Sequence, residues 1–230
     1  MTGSETPTYD EVVRSRRSIR GYRPDPVPKR VLAEIVELAT RAPSSYNSQP
    51  WHLHLATGEV LGRIRDLSTE RTASGIAPSF ERQESGAYEG VHRKRQIEVA
   101  VQLFEAMGIE RHDADGRNAW TMRGFRIFDA PVLAVITYDR DLHGGDIAPF
   151  DCGALANGLA NAAWSRGVGS VINSQGVMHS PVLREHLAIP DDEVILISLA
   201  MGYPDESFPA NAVVSRRRPL EDVASFVGFD

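Results

Sequence analysis

The chain has 230 residues, 42% of them hydrophobic, and a formal net charge of −6. That length suffices for one sizeable core, and the acidic balance disfavours a protein that grips nucleic acid through its backbone. Cys152 is the only cysteine, so an intrachain disulfide is excluded, a cysteine-based metal site is unsupported, and its Ala/Gly-rich surroundings predict a buried small hydrophobe. No long apolar run follows the N-terminus and no stretch of about eighteen uninterrupted apolar residues occurs. These features predict a soluble, cytoplasmic protein with no membrane partner.

Thr8 followed by Glu11 has capping-box spacing and predicts a first helix from near Tyr9. It runs into Ser15-Arg16-Arg17-Ser18-Ile19-Arg20-Gly21-Tyr22. Pro24, Pro26 and Pro28 form an extended spacer, after which Val31, Leu32, Ile35, Leu38 and Ala39 recur at helical spacing up to Pro43. This second helix delivers the loop Pro43 to His52, Pro-Ser-Ser-Tyr-Asn-Ser-Gln-Pro-Trp-His, around which the chain is organised. Two prolines bracket Ser44, Ser45, Asn47, Ser48 and Gln49, so hydroxyls and carboxamides sit on a stiffened backbone suited to a flat, heteroatom-edged ligand. The same residue types also build ordinary turns.

Trp51, Leu53 and Leu55 alternate with His52 and His54 as in a half-buried strand, and Val60, Leu61, Ile64 and Leu67 return to helical spacing. From Thr69 to Gly90 the chain is polar, which predicts a mobile segment near an opening. A helix from about Val91 to Met107 ends at Gly108, and residues 108–118 are expected to be loop. The span 69–118 is a candidate insertion in a single domain covering 1–230. Pro131 to Tyr138 is a continuous apolar run, expected to be a strand buried on both faces. Asp146 is placed to cap a long helix from Ile147 to Arg166, whose glycines and alanines allow another helix to approach closely, inside one subunit or across an interface. Val168–Ile172 and Val194–Leu199 read as strands around a helix starting near Ser180-Pro181. Residues 203–230, which include Ser215-Arg216-Arg217-Arg218-Pro219, form an extended arm.

Several chemistries lack their residues. The seven histidines are scattered, and His52 and His54 have no third ligand nearby, so no metal site is expected. No Gly-x-Ser-x-Gly elbow exists for a serine hydrolase. Gly167-Val168-Gly169 follows a helix and lacks the third glycine of a dinucleotide fold. The Arg/Ser groups, by contrast, match phosphate oxygens, because guanidinium forks bind them bidentately and a serine hydroxyl adds a neutral donor.

In their order along the chain, Arg16-Arg17-Ser18-x-Arg20, Pro43-Ser44-Ser45-x-Asn47-x-Gln49-Pro50-Trp51, Phe125 to Pro131, Gln175-Gly176, Met201-Gly202-Tyr203-Pro204 and Arg216-x-Arg218-Pro219-Leu220 resemble the FMN-dependent nitroreductase family. The resemblance covers nearly the whole chain. It implies an α+β fold, a mostly antiparallel central sheet flanked by helices, with the insertion and a C-terminal arm exchanged across a homodimer. The resemblance further implies that Arg16, Arg17, Ser18, Arg216 and Arg218 hold the FMN phosphate. Arg20 approaches the flavin pyrimidine or adds a further phosphate contact. Ser44, Ser45, Asn47 and Gln49 line the ribityl chain and ring edge from the second subunit, and the backbone at Gln175 and Gly176 faces the N5 edge.

Some members of the family carry a glutamate where Gln175 stands, and Arg123 and Arg126 take the place of an Asn and a basic residue. The implied activity is electron transfer from NAD(P)H to nitroaromatic compounds or quinones by ping-pong turnover, with the chemistry on the FMN and no catalytic side chain. Tyr88, Trp120 and Phe125 are candidates to stack on the aromatic acceptor or to serve as core. Alternatives are another flavin chemistry of the same family, such as dehalogenation or alkene reduction, and a flavin-binding protein with little turnover.

Overall fold

The structure is a computed structural model that describes residues 7–82 and 86–229. The first helix, α1 (Tyr9–Ser15), has the capping box its sequence predicts, with Thr8 accepting from the Glu11 amide and Glu11 reaching back to Thr8. Then follow α2 (Lys29–Ala39), β1 (Trp51–Thr57), α3 (Gly58–Ala73), α4 (Gly90–Ala106), α5 (Ala114–Phe125) and β2 (Val132–Asp139). The chain continues through α6 (Ile147–Trp164), β3 (Gly169–Asn173), α7 (Ser180–Leu187) and β4 (Glu193–Gly202).

The four strands form one sheet in the order β1-β2-β4-β3, every pairing antiparallel. Strand β2 lies inside it and is buried along seven of its eight residues, as an apolar run without alternation requires. Its even-numbered residues Ala134 and Ile136 join Leu32, Ile35, Leu155 and Leu159 under α2 and α6. Leu133 and Val135 join Leu61, Ile64, Val182 and Leu183 under α3 and α7. The sheet is therefore the middle layer of three, an α+β architecture. Cys152 is fully buried in the first of these clusters, where burial first, with nearby Asp151 and Asp139 adding to it, pushes its thiol up to about 12.

Three local expectations are corrected. The segment from Thr69 is not all irregular, because α3 continues to Ala73. Beyond it the Ser79 amide donates to the Met178 carbonyl at 2.7 Å. Glu81 takes two bonds from Arg184, at 2.6 and 2.7 Å, and one from the Ile195 amide at 3.0 Å. That amide lies beside a register shift between β2 and β4, so Glu81 satisfies a donor there. Residues 83–85 of the segment lie outside the described residues. The loop predicted over 108–118 stops at Asp113, which caps α5 by accepting from the Gly116 amide at 2.8 Å. The first turns of α5 are largely exposed, so no apolar period marks them. Asp146 stands at the start of α6 without a side-chain capping bond.

The small residues of α6 serve partly inside the chain. A Cβ at Gly158 would come within 3.1 Å of the Ala39 carbonyl oxygen, so α2 and α6 meet closely where a larger side chain would push them apart. Elsewhere on α6 a stripe of Ile147, Phe150, Gly153 and Asn157 faces outward.

Candidate functional site

After α1 the backbone turns extended at Arg16 and runs alongside the free edge of β3. Ser18 forms a parallel bridge with Ser170, and the Ile19 amide donates to the Ser170 carbonyl at 3.0 Å. Alternation then decides which side chains face in. Ile19 is fully buried, whereas Arg16, Arg17, Ser18 and Arg20 line a cavity of about 330 Å³ together with Arg14, Val99, Val213, Ser215 and Arg217. Four of the predicted site residues are thus brought together by a short edge-strand pairing.

The cavity concentrates positive charge. Burial first, and the neighbouring Arg217 second, pull the Arg16 guanidinium below its ordinary pKa. Burial does the same to Arg20, partly offset by Tyr22. Arginine stays protonated under such shifts, so the cost remains as repulsion that a bound anion relieves. Arg17 is held on two sides: its Nε donates to the Asn211 carbonyl at 2.5 Å, and its guanidinium carbon lies 5.4 Å from the centre of the Trp164 ring. These contacts leave its outer nitrogens free to form the fork that suits phosphate.

The terminal arm reaches this cavity, but through other residues than the sequence suggests. Ser215 and Arg217 line it, while Arg216 points to Glu98 at 3.4 Å and Arg218 is not part of the lining. On an extended chain successive side chains alternate, so either 215 and 217 or 216 and 218 face inward.

The loop Pro43 to His52 is built differently. Tyr46, Asn47 and Gln49 all have positive φ, 50°, 59° and 46°, a backbone region costly for side chains other than Asn or Gly. Besides its own backbone turns, from Asn47 to Ser44 at 3.1 Å and from Ser48 to Ser45 at 2.9 Å, two side-chain bonds hold its backbone: Ser44 Oγ accepts from the Gln49 amide at 2.9 Å, and Asp151 Oδ2, from the buried face of α6, accepts from the Ser45 amide at 3.0 Å. Asn47, Ser48 and Gln49 remain exposed. Ser45 and Ser48 line a second, separate cavity of about 310 Å³ with Tyr46, Leu142, Ile147 and Asp151. Within one chain the structure does not bring Ser44, Ser45, Asn47 or Gln49 to the arginine cavity.

Gln175 and Gly176 form a short turn after β3. The Gln175 amide donates to Asn173 Oδ1 at 3.1 Å and its side chain donates to the Thr121 carbonyl at 3.0 Å. The Val177 and Met178 amides are taken by Ser174 and Gln175, so among the described residues the Gly176 amide alone of these four lacks a partner. A Cβ at Gly124 would lie 1.7 Å from Gln175 Oε1; this contact, with Asn173 donating to the Gly124 carbonyl at 2.8 Å, fixes the end of α5 against the turn. Arg123 and Arg126 also find places, Arg123 donating to the Arg20 carbonyl at 3.1 Å and Arg126 pairing with Asp129 at 2.6 Å. Among the described residues no group of three His, Cys, Asp or Glu is arranged to hold a metal ion, and no helix is long and apolar enough to cross a membrane.

A model of the nitroreductase family matches residues 13–203, from α1 through β4. The chain belongs to the nitroreductase family. Among its relatives, it is 34% identical to the nitrobenzene nitroreductase of Ectopseudomonas oleovorans and 32% identical to the chloronitrobenzene nitroreductase of Comamonas testosteroni. Both comparisons extend over 226 residues, 96% of this chain and 98% of the relative. In three dimensions it resembles the FMN and NADPH-dependent nitroreductase NfnB of Sphigopyxis sp. strain HMH, with a TM-score of 0.91 at 29% identity, covering 97% of this chain and all of that one. The FMN-dependent nitroreductase NfnB of Mycobacterium smegmatis, solved in complex with NADPH, gives 0.87 at 25% identity, covering 94% and 96%. The nitroreductase fold expected from the order of the motifs is the fold the chain has.

Three residues that shape this nitroreductase site escape the motif reading. Asp151 anchors the loop from a helix 106 positions away, Asn173 holds the Gln175 turn, and Asn211 bonds to Arg20 and Gly21. Arg217 was visible as a member of its cluster. Asn211, in Pro209-Ala210-Asn211-Ala212, carries no signal in the sequence.

Proposed function

We propose that the chain is an NAD(P)H-dependent FMN nitroreductase, acting on nitroaromatic compounds or quinones as a homodimer. The observation that carries the reading is the arginine cavity, which gathers Arg16, Arg17, Arg20 and Arg217 around Ser18 and Ser215 in a protein of net charge −6. This donor set fits a phosphate dianion, and the unpartnered Gly176 amide fits an acceptor atom at a ring edge. The NADPH and FMN dependence of the two NfnB proteins, and the nitroarene substrates of the relatives, agree with that fit.

FMN, when bound, would supply the two-electron redox chemistry that links NAD(P)H to the nitro group or quinone. The chain's own residues bind and orient. Arg16, Arg17, Ser18 and Arg217 hold the phosphate, with Ser215 beside them. Arg20, at the inner end of the extended segment, sets positive charge where a reduced ring gathers negative charge. Gly176 donates its amide to the ring edge. Ser44, Ser45, Asn47 and Gln49 come from the second copy, with Ser44 keeping its hydroxyl hydrogen free because its oxygen is the acceptor for Gln49.

Exposed apolar surface supports the dimer. Tyr46 is fully exposed, and Phe150, Ile147 and Leu142 beside it expose 75%, 57% and 40% of their surface. The arm of residues 203–230 adds Leu220, Val223, Phe226, Val227 and Phe229, all exposed, and embraces the partner. Burying such side chains is worth roughly 1.5–3 kcal/mol each.

The test is a visible spectrum of the purified protein, repeated anaerobically after NADPH and again after nitrobenzoate. A flavin band that bleaches and then recovers is expected. Bound flavin that does not bleach points instead to a binding protein with little turnover. Flavin that oxygen re-oxidises but nitrobenzoate does not points to another chemistry of the family. Protein that neither carries nor takes up FMN overturns the reading.

A further inference from the structure

Residues 205–211, in the first part of the arm, saddle the segment Arg17–Gly21. Phe208 lies so close over Gly21 that a Cβ there would meet its ring at 2.1 Å. The centre of the saddle is Asn211, 3% exposed. Its Oδ1 accepts from the Arg20 amide at 2.7 Å and the Gly21 amide at 3.1 Å, and its Nδ2 donates to the carbonyls of Gly21 and Asp205, both at 2.8 Å. A carboxamide has two donor hydrogens and two acceptor lone pairs. All four are used, and all four ends are backbone groups. The main-chain carbonyl of the same residue takes the Nε of Arg17 at 2.5 Å.

We propose that Asn211 is a positioning residue for the phosphate group of the cofactor: its carboxamide fixes the backbone that presents Arg17 and Arg20, and its carbonyl aims the Arg17 fork. Its place in the chain adds a second effect. Val213, Val214, Ser215 and Arg217 follow within six residues and line the same cavity, so a fixed Asn211 anchors the segment that carries them there. Neither effect calls for contact between Asn211 and the ligand. Buried, fully satisfied polar groups are suited to specify one arrangement of neighbouring segments. The inference rests on the FMN reading above.

Comparing FMN with riboflavin isolates the phosphate, since riboflavin presents the same ring and ribityl chain without it. Apoprotein is titrated with each, following flavin fluorescence. The unsubstituted chain is expected to prefer FMN strongly. In Asn211→Ala that preference falls by about tenfold or more while riboflavin affinity changes by less than about threefold, a tenfold change corresponding to roughly 1.4 kcal/mol. A merely structural role would lower the melting temperature and both affinities together, leaving the ratio unchanged, and that result overturns the proposal.

If Asn211→Ala does not fold, the neutral Asn211→Ser decides the matter. Its hydroxyl can replace part of the carboxamide's bonds without adding charge beside the arginines, and a smaller fall in the ratio is expected; an unchanged ratio overturns the proposal. In an Arg17→Ala background, Asn211→Ala is expected to change the ratio by less than in the unsubstituted chain, and full additivity removes the aiming of Arg17. Equal binding of FMN and riboflavin by the unsubstituted chain is a different failure. It overturns the phosphate assignment itself.

Discussion

Two stretches of this chain adopt left-handed backbone at side-chain-bearing residues, and they are held in opposite ways. Ile127, Phe128 and Asp129 have φ of 56°, 54° and 56°. Tyr46, Asn47 and Gln49 have 50°, 59° and 46°. Such conformations cost on the order of 1–3 kcal/mol per residue and persist only where the surroundings over-determine them. Around 127–129 the surroundings belong to the same chain. Ile127 and Phe128 are buried in the core beneath α3 and α7. Arg126 binds Asp129 through two nitrogens, at 3.0 and 2.6 Å, Arg123 lies 3.5 Å from it, and Arg65 donates to the carbonyls of Arg126 and Ala130, both at 2.9 Å. Around 46–49 the Asp151 bond reaches in from another element, while the others, Gln49 to Ser44 Oγ, Asn47 to the Ser44 carbonyl, Ser48 to the Ser45 carbonyl and Gln49 Nε2 to the Asn47 carbonyl, lie within the loop, and the side chains of 46–49 are exposed. Strain offset inside the chain marks scaffold. Strain left without such an offset, on a loop rich in donors and acceptors, marks a surface completed by something outside the chain, which on the function proposed above is the cofactor and a second copy.

The largest test of this contrast pairs one ring from each stretch. Phe128→Ala removes a ring that is 7% exposed, leaves the strain in place, and is expected to cost about 3–5 kcal/mol in denaturant unfolding. Tyr46→Ala, at a fully exposed ring, is expected to shift the stability of the apoprotein at low concentration by no more than about 0.5 kcal/mol. Its effect should fall on the dimer instead, seen as a weaker association in sedimentation. Equal losses of folding stability would abolish the distinction.

Next in size, Asp129→Ala leaves Arg123 and Arg126 without their common partner. The pair with Arg126 is partly solvent-screened, its carboxylate being 37% exposed, so the expected loss is about 1–2 kcal/mol. Asp151→Ala is smaller by the same measurement, about 1 kcal/mol for one hydrogen bond at a loop that can rearrange. FMN affinity should reverse the order of the two variants. Asp151→Ala is expected to weaken binding more than Asp129→Ala, because it frees the loop that, on the proposed function, a second copy contributes. FMN affinity that is unchanged in Asp151→Ala would show that the loop does not need its anchor.

How far the sequence reveals these features follows from how local their causes are. The burial of β2 on both faces was legible because the apolar run from Pro131, broken only by Thr137 before Tyr138, shows no alternation, and the first helix was legible because Thr8 and Glu11 are three residues apart. The start of α5 was not, since its exposed turns carry no period and only Asp113 marks the boundary. The same division runs through the site. The prolines and amides of the loop are adjacent in sequence and point to a ligand surface, while the Asp151 bond spans 106 residues and leaves no local pattern. In the arm, the sequence supplies three arginines in a row but not which of them turns into the cavity, and the Asn211 bonds to Arg17 and Arg20 span more than 190 residues.

A further test of internal compensation needs no substitution. Glu81 belongs to the segment that its composition suggested was mobile, yet it is bound to Arg184 and to the Ile195 amide. Burial raises its pKa, but the Arg184 and Ile195 hydrogen bonds and the charges of Arg184 and Arg140 outweigh it, so the net shift is downward. With the folded value below the unfolded one, the carboxylate's contribution is fully present above the unfolded pKa and is lost as pH falls through the folded value. Protease cleavage near this segment should therefore accelerate on acidification through that range. In Glu81→Gln the acid-dependent part should disappear. Acid dependence that survives in Glu81→Gln would assign it to another group.

The smallest expected effect is also the most direct on strain itself. Tyr46→Gly removes a side chain from a position at φ 50° where glycine carries no steric cost, but it widens the unfolded ensemble as well. The two effects oppose each other, so folding stability should change by less than about 1 kcal/mol in either direction. Compared with Tyr46→Ala, which loses the same ring contacts but keeps the steric cost at Cβ, glycine should leave the apoprotein slightly more stable. If the loop is kept in its arrangement for a ligand, FMN should bind more weakly to the glycine variant than to the alanine variant, because a loop with more accessible conformations must be ordered on binding. More stable and weaker binding together would identify the left-handed turn as preorganisation of the loop. Equal FMN affinity in the two variants would show that the turn serves only to reverse the chain between α2 and β1.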